Sequence, residues 1–395
     1  MRKNSEIIIC IVFFLVNPLL GIIASTVSVL MHKSDNCLKL LMLFLMLYLS
    51  AINTTKVPYS DMISYLDMYE LVPIGGFRGT IAYLSFYGTG GVKDIVYSIL
   101  VYLLYYATFG NQYLFIFIIT FLGYWFMFMA IYKFGKTYKL PIYILITQVL
   151  ILSFFTQYFS LTFHLVRQIL ATSLFFYALS FRETSFKMFL LLSFFAAGIH
   201  SAIVILISFA ILPVMKRRLK LFEIGYFILF AAFSVVLLST VASFLLDTVE
   251  LGDSLEGNLN RVAGMEGAED STAGLKMLGF FFSLMTIGLC MLERSRKRAM
   301  VYPIVVNVAL VISFTILGLT ASPLVQYRFF YYLYSFFPFI FPLFMRRFTI
   351  FSKLMCLMFV VLLMVRFYLT LNNIYEYLPA EDALLLPYPY LIKLV

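Results

Sequence analysis

Charge is scarce in this sequence. Asp, Glu, Lys and Arg make up 12% of its 395 residues, where an ordinary soluble domain carries about 25%. That little charge cannot clothe a water-soluble fold, and the 63% of hydrophobic residues must face lipid. Cysteine is scarce too: Cys10, Cys37, Cys290 and Cys356 lie in or beside apolar runs with no CxxC spacing, and read as ordinary helix residues. Walker A, HExxH, GxSxG and the DxD pattern of metal-dependent nucleotide-sugar enzymes are all missing, so neither a metal nor a cofactor is expected. The apolar runs hold almost no carboxylates, which weakens an ion-coupled pump. No basic patch is interleaved with solvent-facing aromatics. The net charge of +10 therefore points to membrane topology and not to nucleic acid.

What the sequence does have is apolar runs. A span takes about 20 residues. Runs lie near 7–31, 38–52, 112–132, 141–161, 165–181, 187–199, 201–214, 221–246, 275–292, 299–321, 326–345 and 349–370. They predict an all-α, polytopic transmembrane helical protein with about 12 membrane helices and one integral membrane domain over 1–395. The first run has no convincing cleavage site and is read as a retained helix. Residues 94–109 are short for a span and read as a re-entrant or interfacial helix. The 187–214 stretch reads as a helical hairpin with His200 near its tip.

Orientation follows from Lys and Arg. The clusters Lys133/Lys136/Lys139, Arg182/Lys187, Lys216–Lys220, Arg294–Arg298 and Arg346/Arg347/Lys353 go inside. Two loops poor in Lys and Arg go outside: 53–93, and the acidic 247–274. By the same tracing the N-terminus is outside.

On the outer side, single polar residues stand out. Arg167 opens an apolar helix, and helical spacing puts His164, Arg167, Gln168 and Ala171 on one face. A guanidinium there suits a phosphate, although a snorkelling arginine is the plainer reading. His200, in Gly198-Ile199-His200-Ser201, is the side chain most readily tuned as a base near neutral pH. Arg328 opens a late helix in Gln326-Tyr327-Arg328, and Tyr331 follows. These aromatics suit either an interface belt or sugar stacking. In the early loop, Asp61 and Tyr65 share a face if the segment is helical, and Arg78 follows.

Taken in order, Ser60-Asp61 with Tyr65, Arg167-Gln168 with Ala171, Gly198-Ile199-His200-Ser201-Ala202, and Tyr327-Arg328 with Tyr331-Tyr332 resemble the EpsG-like group of Wzy-type polysaccharide polymerases, roughly over 45–345. Ser60 stands where the family form carries glycine.

The resemblance implies a bacterial inner (cytoplasmic) membrane enzyme, GT-C-like in arrangement. It would join undecaprenyl-pyrophosphate-linked oligosaccharides, O-antigen or similar, at the periplasmic face by inverting, metal-independent transfer. Arg167, Gln168 and Arg328 would bind pyrophosphate, and His200 or Asp61 would activate the acceptor. Arg78, His164, Tyr65, Tyr327 and Tyr331 would bind glycan. Membrane lipids and a chain-length regulator protein are the expected partners. The rival readings are a lipid-linked oligosaccharide flippase, a lipid A-core ligase and a membrane O-acyltransferase.

Overall fold

The computed structural model describes residues 2–58, 61–87, 94–220, 222–229, 273–295, 300–318, 323–346, 350–371 and 378–393. Ser60, residues 247–272 of the acidic loop and most of the expected 221–246 span lie outside the described residues. Those described are helical with no strand. Contacts divide the chain into two units. The first takes in Met1–Thr80, Ile95–His200 and Met345–Val395, and the second Ile81–Asp94 and Ser201–Phe344.

The first unit begins with a correction. The apolar run 7–31 is not one span. It is two helices, α1 (Arg2–Val16) and α2 (Pro18–His32), broken at Asn17. The Asn17 side chain accepts from Leu20 N at 3.1 Å and caps α2, and Pro18 sits at the first helical position, where its missing N–H costs nothing. Glu6 and His32 meet at 3.2 Å, so α2 turns back along α1. The two pack closely enough that a Cβ on Gly21 would lie 2.4 Å from the Phe14 Cα. Each arm is 15 residues long, about 22 Å, short of a 30 Å hydrocarbon layer. The hairpin puts the N-terminus on the same side as Lys33, where the single-span reading put it on the opposite side.

Next come α3 (Asp35–Thr54), α4 (Asp61–Glu70), α5 (Val72–Tyr87), α6 (Ile95–Ala107) and α7 (Gln112–Thr137). The stretch 53–93, expected outside, is thus largely helical over its described residues, with α5 kinked at Gly76 (φ 57°), a backbone state open to glycine. The 13-residue α6 is about 20 Å long, short of a 30 Å hydrocarbon layer, and packs on α4 and α11. Lys136, near the end of α7, pairs with Asp35, at the start of α3. At the other end Asn53 donates to Thr120. The two helices therefore run antiparallel.

After α7 come α8 (Ile142–Phe154), α9 (Thr156–His164), α10 (Val166–Leu179) and α11 (Phe186–Ile199). α8 and α9 form one apolar run bent by 54°. A tight turn at Ser180–Ser185 joins α10 to α11, and the two pack as an antiparallel pair. Helix α11 stops at His200, whose extended backbone (φ −153°) breaks the helix where the sequence suggested. A long late helix, α16 (Ile350–Leu371), packs on α8 and leaves Phe351, Leu362 and Leu369 exposed, as expected of a lipid-facing surface.

The second unit contains α12 (Val204–Ile211), α13 (Ala273–Arg294), α14 (Pro303–Gly318) and α15 (Pro323–Ile340). The last three pack on one another, and a Cβ on Gly279 would meet the Phe330 ring at 2.5 Å. Asn307 in α14 donates to the Met215 and Arg217 carbonyls at 2.8 Å, which ties the basic 216–220 stretch to that helix.

Among the described residues, four helices are long and apolar enough to cross a bilayer: α3, α7, Met277–Arg294 within α13, and α16. The bent α8–α9 pair makes a fifth. The apolar helices α1, α2, α6, α10, α11 and α14 are shorter. The hairpin yields a test of sidedness. Single cysteines at Ser5 and Ser34, in a background lacking the four native cysteines, should label from the same side of the membrane. Labelling from opposite sides would restore the single span.

Candidate active site at one end of the first unit

The antiparallel pairs of the first unit sort its polar residues by end. Lys33, Asp35, Lys136 and Arg182 lie at one end. The other end gathers the close of α3, the start of α4, the α9–α10 break and the close of α11. Lys56, Asp61, Tyr65, His164, Arg167, Gln168 and His200 all lie there.

The α9–α10 break overturns one expectation. His164 closes α9, Leu165 leaves helical geometry (φ −113°, ψ 52°), and Arg167 is the second residue of α10. His164 and Arg167 therefore do not share a helix face. The pattern read as one helix spans two, because no i to i+3 relation survives a break.

What the break provides is a helix start. The N-cap residue of α10, Leu165, makes no side-chain cap, and the positive end of the dipole of this 14-residue helix faces the break. Arg167 is half-buried there. Its Nε donates to Tyr65 Oη at 3.5 Å, and its guanidinium lies 5.4 Å from the Tyr65 ring centroid. Tyr65 is buried in α4, one turn after the exposed Asp61. Burial pushes its phenol above the ordinary range, Arg167 pulls it back, and Asp61 adds a smaller upward push. Asp61, Tyr65 and Arg167 thus form one electrostatic group. Gln168 is buried at 5% exposure on the neighbouring face of α10.

The residue that sequence reasoning missed is Lys56. It follows α3 and is only 2% exposed. Its Nζ lies 2.8 Å from His164 Nε2 and 5.0 Å from the Phe163 ring centroid. Three residues earlier, Asn53 is fully buried and donates to Thr120 Oγ1 of α7 at 2.8 Å and to Thr162 Oγ1 of α9 at 3.3 Å. The end of α3 thus holds α9 at two points. The available signal was a lysine just past a span, on the side otherwise poor in Lys and Arg.

Other expected residues lie apart. His200 is half-buried at the close of α11, whose partner α10 begins at that same end with Arg167. Arg78 is exposed on α5, two residues past the Gly76 kink. Arg328, Tyr327 and Tyr331 belong to the second unit. Arg328 is exposed in the first turns of α15. Tyr327 is buried and packs edge-on to Phe330, and Tyr331 is half-buried against Tyr334. Nearby, Asp94 is 8% exposed and its carboxylate accepts from Ser201 N at 3.0 Å.

A family model described as EpsG family matches residues 39–388. No curated protein and no solved structure matches the chain.

The clamp at the end of α3 is open to a test of stability. Asn53→Leu keeps the volume but removes both interhelical hydrogen bonds. It should cost about 1–2 kcal/mol, the upper range for such bonds between membrane helices. Thermal unfolding in detergent measures this, and an unchanged melting temperature would show that the clamp carries no load.

Proposed function

This chain belongs to the EpsG family and is a membrane protein, and from that premise we propose that it is a polysaccharide polymerase with a lipid-pyrophosphate-linked donor. In this reading about 12 membrane helices stand in a GT-C-like arrangement in the bacterial inner membrane. The reaction faces the periplasm. The substrate is an undecaprenyl-pyrophosphate-linked oligosaccharide, O-antigen or similar. A hydroxyl of the acceptor repeat attacks the anomeric carbon of the donor. The new glycosidic bond forms with inversion as the bond to pyrophosphate breaks, and the pyrophosphate leaves with the electron pair.

Negative charge develops on the departing pyrophosphate, so the site needs fixed positive charge aimed at it. The observation that carries the reading is Arg167, half-buried in the first turn of α10 and held on Tyr65 by a 3.5 Å hydrogen bond and a ring contact. A planar fork of donors at the positive end of a helix is suited to phosphate oxygens. The Tyr65 contact limits the guanidinium's freedom before substrate arrives, which reduces the ordering required at binding. Gln168, next to it, orients the same group. His200 or Asp61 takes the acceptor proton. His164, Tyr65 and Arg78 line the glycan side. For Arg328 we propose an anion-binding role, and for Tyr327 and Tyr331 contact with glycan, from residue chemistry alone. A chain-length regulator protein is the proposed partner.

A ligase shares this anion chemistry. A flippase needs two-sided access, and an O-acyltransferase needs an acyl donor. The phenotype of a deletion strain separates them. Lipopolysaccharide core capped with a single repeat marks a lost polymerase. Bare core with long lipid-linked polymer marks a lost ligase, and bare core without such polymer marks a lost flippase.

In such a strain, Arg167→Ala should lower polymer formation about 100- to 1000-fold, the range for removing one transition-state donor. Arg167→Lys should restore little, because an ammonium lacks the fork. A full-length ladder from Arg167→Ala, at normal protein level, would refute the site.

A further inference from the structure

A lysine buried beside a histidine needs a reason, because a buried charge is costly unless it is held. Lys56 is held well. Its backbone N–H reaches the Asn53 carbonyl at 3.4 Å, and Asn53 fixes Thr162, two residues before His164 on α9. The Phe163 ring faces the ammonium at 5.0 Å, a contact that favours the charged form. The Nζ–Nε2 distance of 2.8 Å is that of a direct hydrogen bond.

The donor inventory then decides the state of the ring. An ammonium has three donors and no acceptor, so His164 Nε2 must present its lone pair. A second ring proton would set two cations 2.8 Å apart. Other charged groups at this end include Arg167, on α10, and Asp61, on α4, which interacts with Arg167 through Tyr65; Glu70, also on α4, accepts from Gln112 at the start of α7.

We propose that Lys56 is a positioning residue of the candidate site, acting through His164, whose ring it holds neutral with its single proton on Nδ1. In that state His164 has no lone pair to offer as a base at Nδ1. It is a buried hydrogen-bond donor, two residues from the start of α10, suited to an oxygen acceptor that enters the break. Proton abstraction then falls to another residue. The structural part stands on Lys56 and His164 alone, and the part in catalysis rests on the polymerase reading.

The chain has only three histidines, His32, His164 and His200, so its ring nitrogens can be resolved individually. The full-length protein, ¹⁵N-labelled on histidine in lipid nanodiscs, reports which nitrogen carries the proton, with His32→Gln and His200→Gln variants giving the assignment. The expected result at pH 7 is Nδ1–H for His164. Lys56→Met should release the ring to the Nε2–H form that prevails in water or to the doubly protonated form. Lys56→Arg should keep Nδ1–H. An unchanged His32 signal controls for folding, and Lys56→Gln is a second variant should Lys56→Met not fold. A proton on Nε2 in the unaltered protein, or a tautomer indifferent to Lys56, overturns the proposal. In cells, Lys56→Met should lower polymer formation about 10- to 100-fold, the usual scale for a residue that orients another. Lys56→Arg should recover part of this. Adding His164→Gln to Lys56→Met should change little, because the two act as one unit. A shifted tautomer with normal polymer formation would remove the positioning role. Failure of the polymerase reading appears separately, as normal polymer from Arg167→Ala.

Discussion

In hydrocarbon a helix that stops must find partners for its backbone within the protein, because no water is there to supply them. The described part of this chain is organised around that constraint. Its apolar runs are broken repeatedly, and the breaks seen in detail are covered. Asn17 caps α2 and also reaches the Leu384 carbonyl, so the hairpin tip is tied to the C-terminal segment. The Leu165 amide returns to the Leu161 carbonyl as α9 closes. The amide of Ser201, after the break at His200, is met by the Asp94 carboxylate. Arg167 stands in the first turn of α10, at the positive end of its dipole. An arginine held on Tyr65 at that helix start is the reason for proposing function there.

The two ends of the first unit differ in part. The basic end has exposed pairs such as Lys136 with Asp35, which contribute little to stability, beside Arg182 buried on Phe186 and Phe189. At the other end the cations are few and held on protein: Lys56 against His164 and Phe163, Arg167 against Tyr65. Burial makes each of them stiffer and electrostatically stronger than an exposed lysine or arginine. A site that must stabilise an anion in the membrane interface benefits from both properties. Asn53, tied to α7 and α9 at once, links this stiffness to the packing of the unit.

Much of this was legible in the sequence. Composition announced the membrane. The Gly198–His200 break fell where glycine and histidine interrupt an apolar run. The same residues that suggested the family proved to lie in a matched region, 39–388. What misled was periodicity carried across breaks. The run 7–31 looked continuous because Asn17-Pro18 is short, yet a capping asparagine followed by proline starts a new helix. His164 and Arg167 seemed to share a face because a three-residue spacing assumes one helix. Lys56 went unnoticed because a lysine beside a span reads as solvated until its burial is known.

By itself the sequence determined the class of the protein: an all-α membrane chain, its apolar runs, the side on which Lys and Arg gather, and the short motifs that place it in its family. These are properties of composition and local spacing, and lipid acts on them directly. Tertiary structure alone decided which polar residues meet. Lys56 and His164 are 108 positions apart and Tyr65 and Arg167 102 apart, and nothing in the spacing of either pair foretells contact. Each pair exists because α3 and α4 carry one partner to the break between α9 and α10. There the backbone leaves its helix, and packing turns a buried cation into a held one.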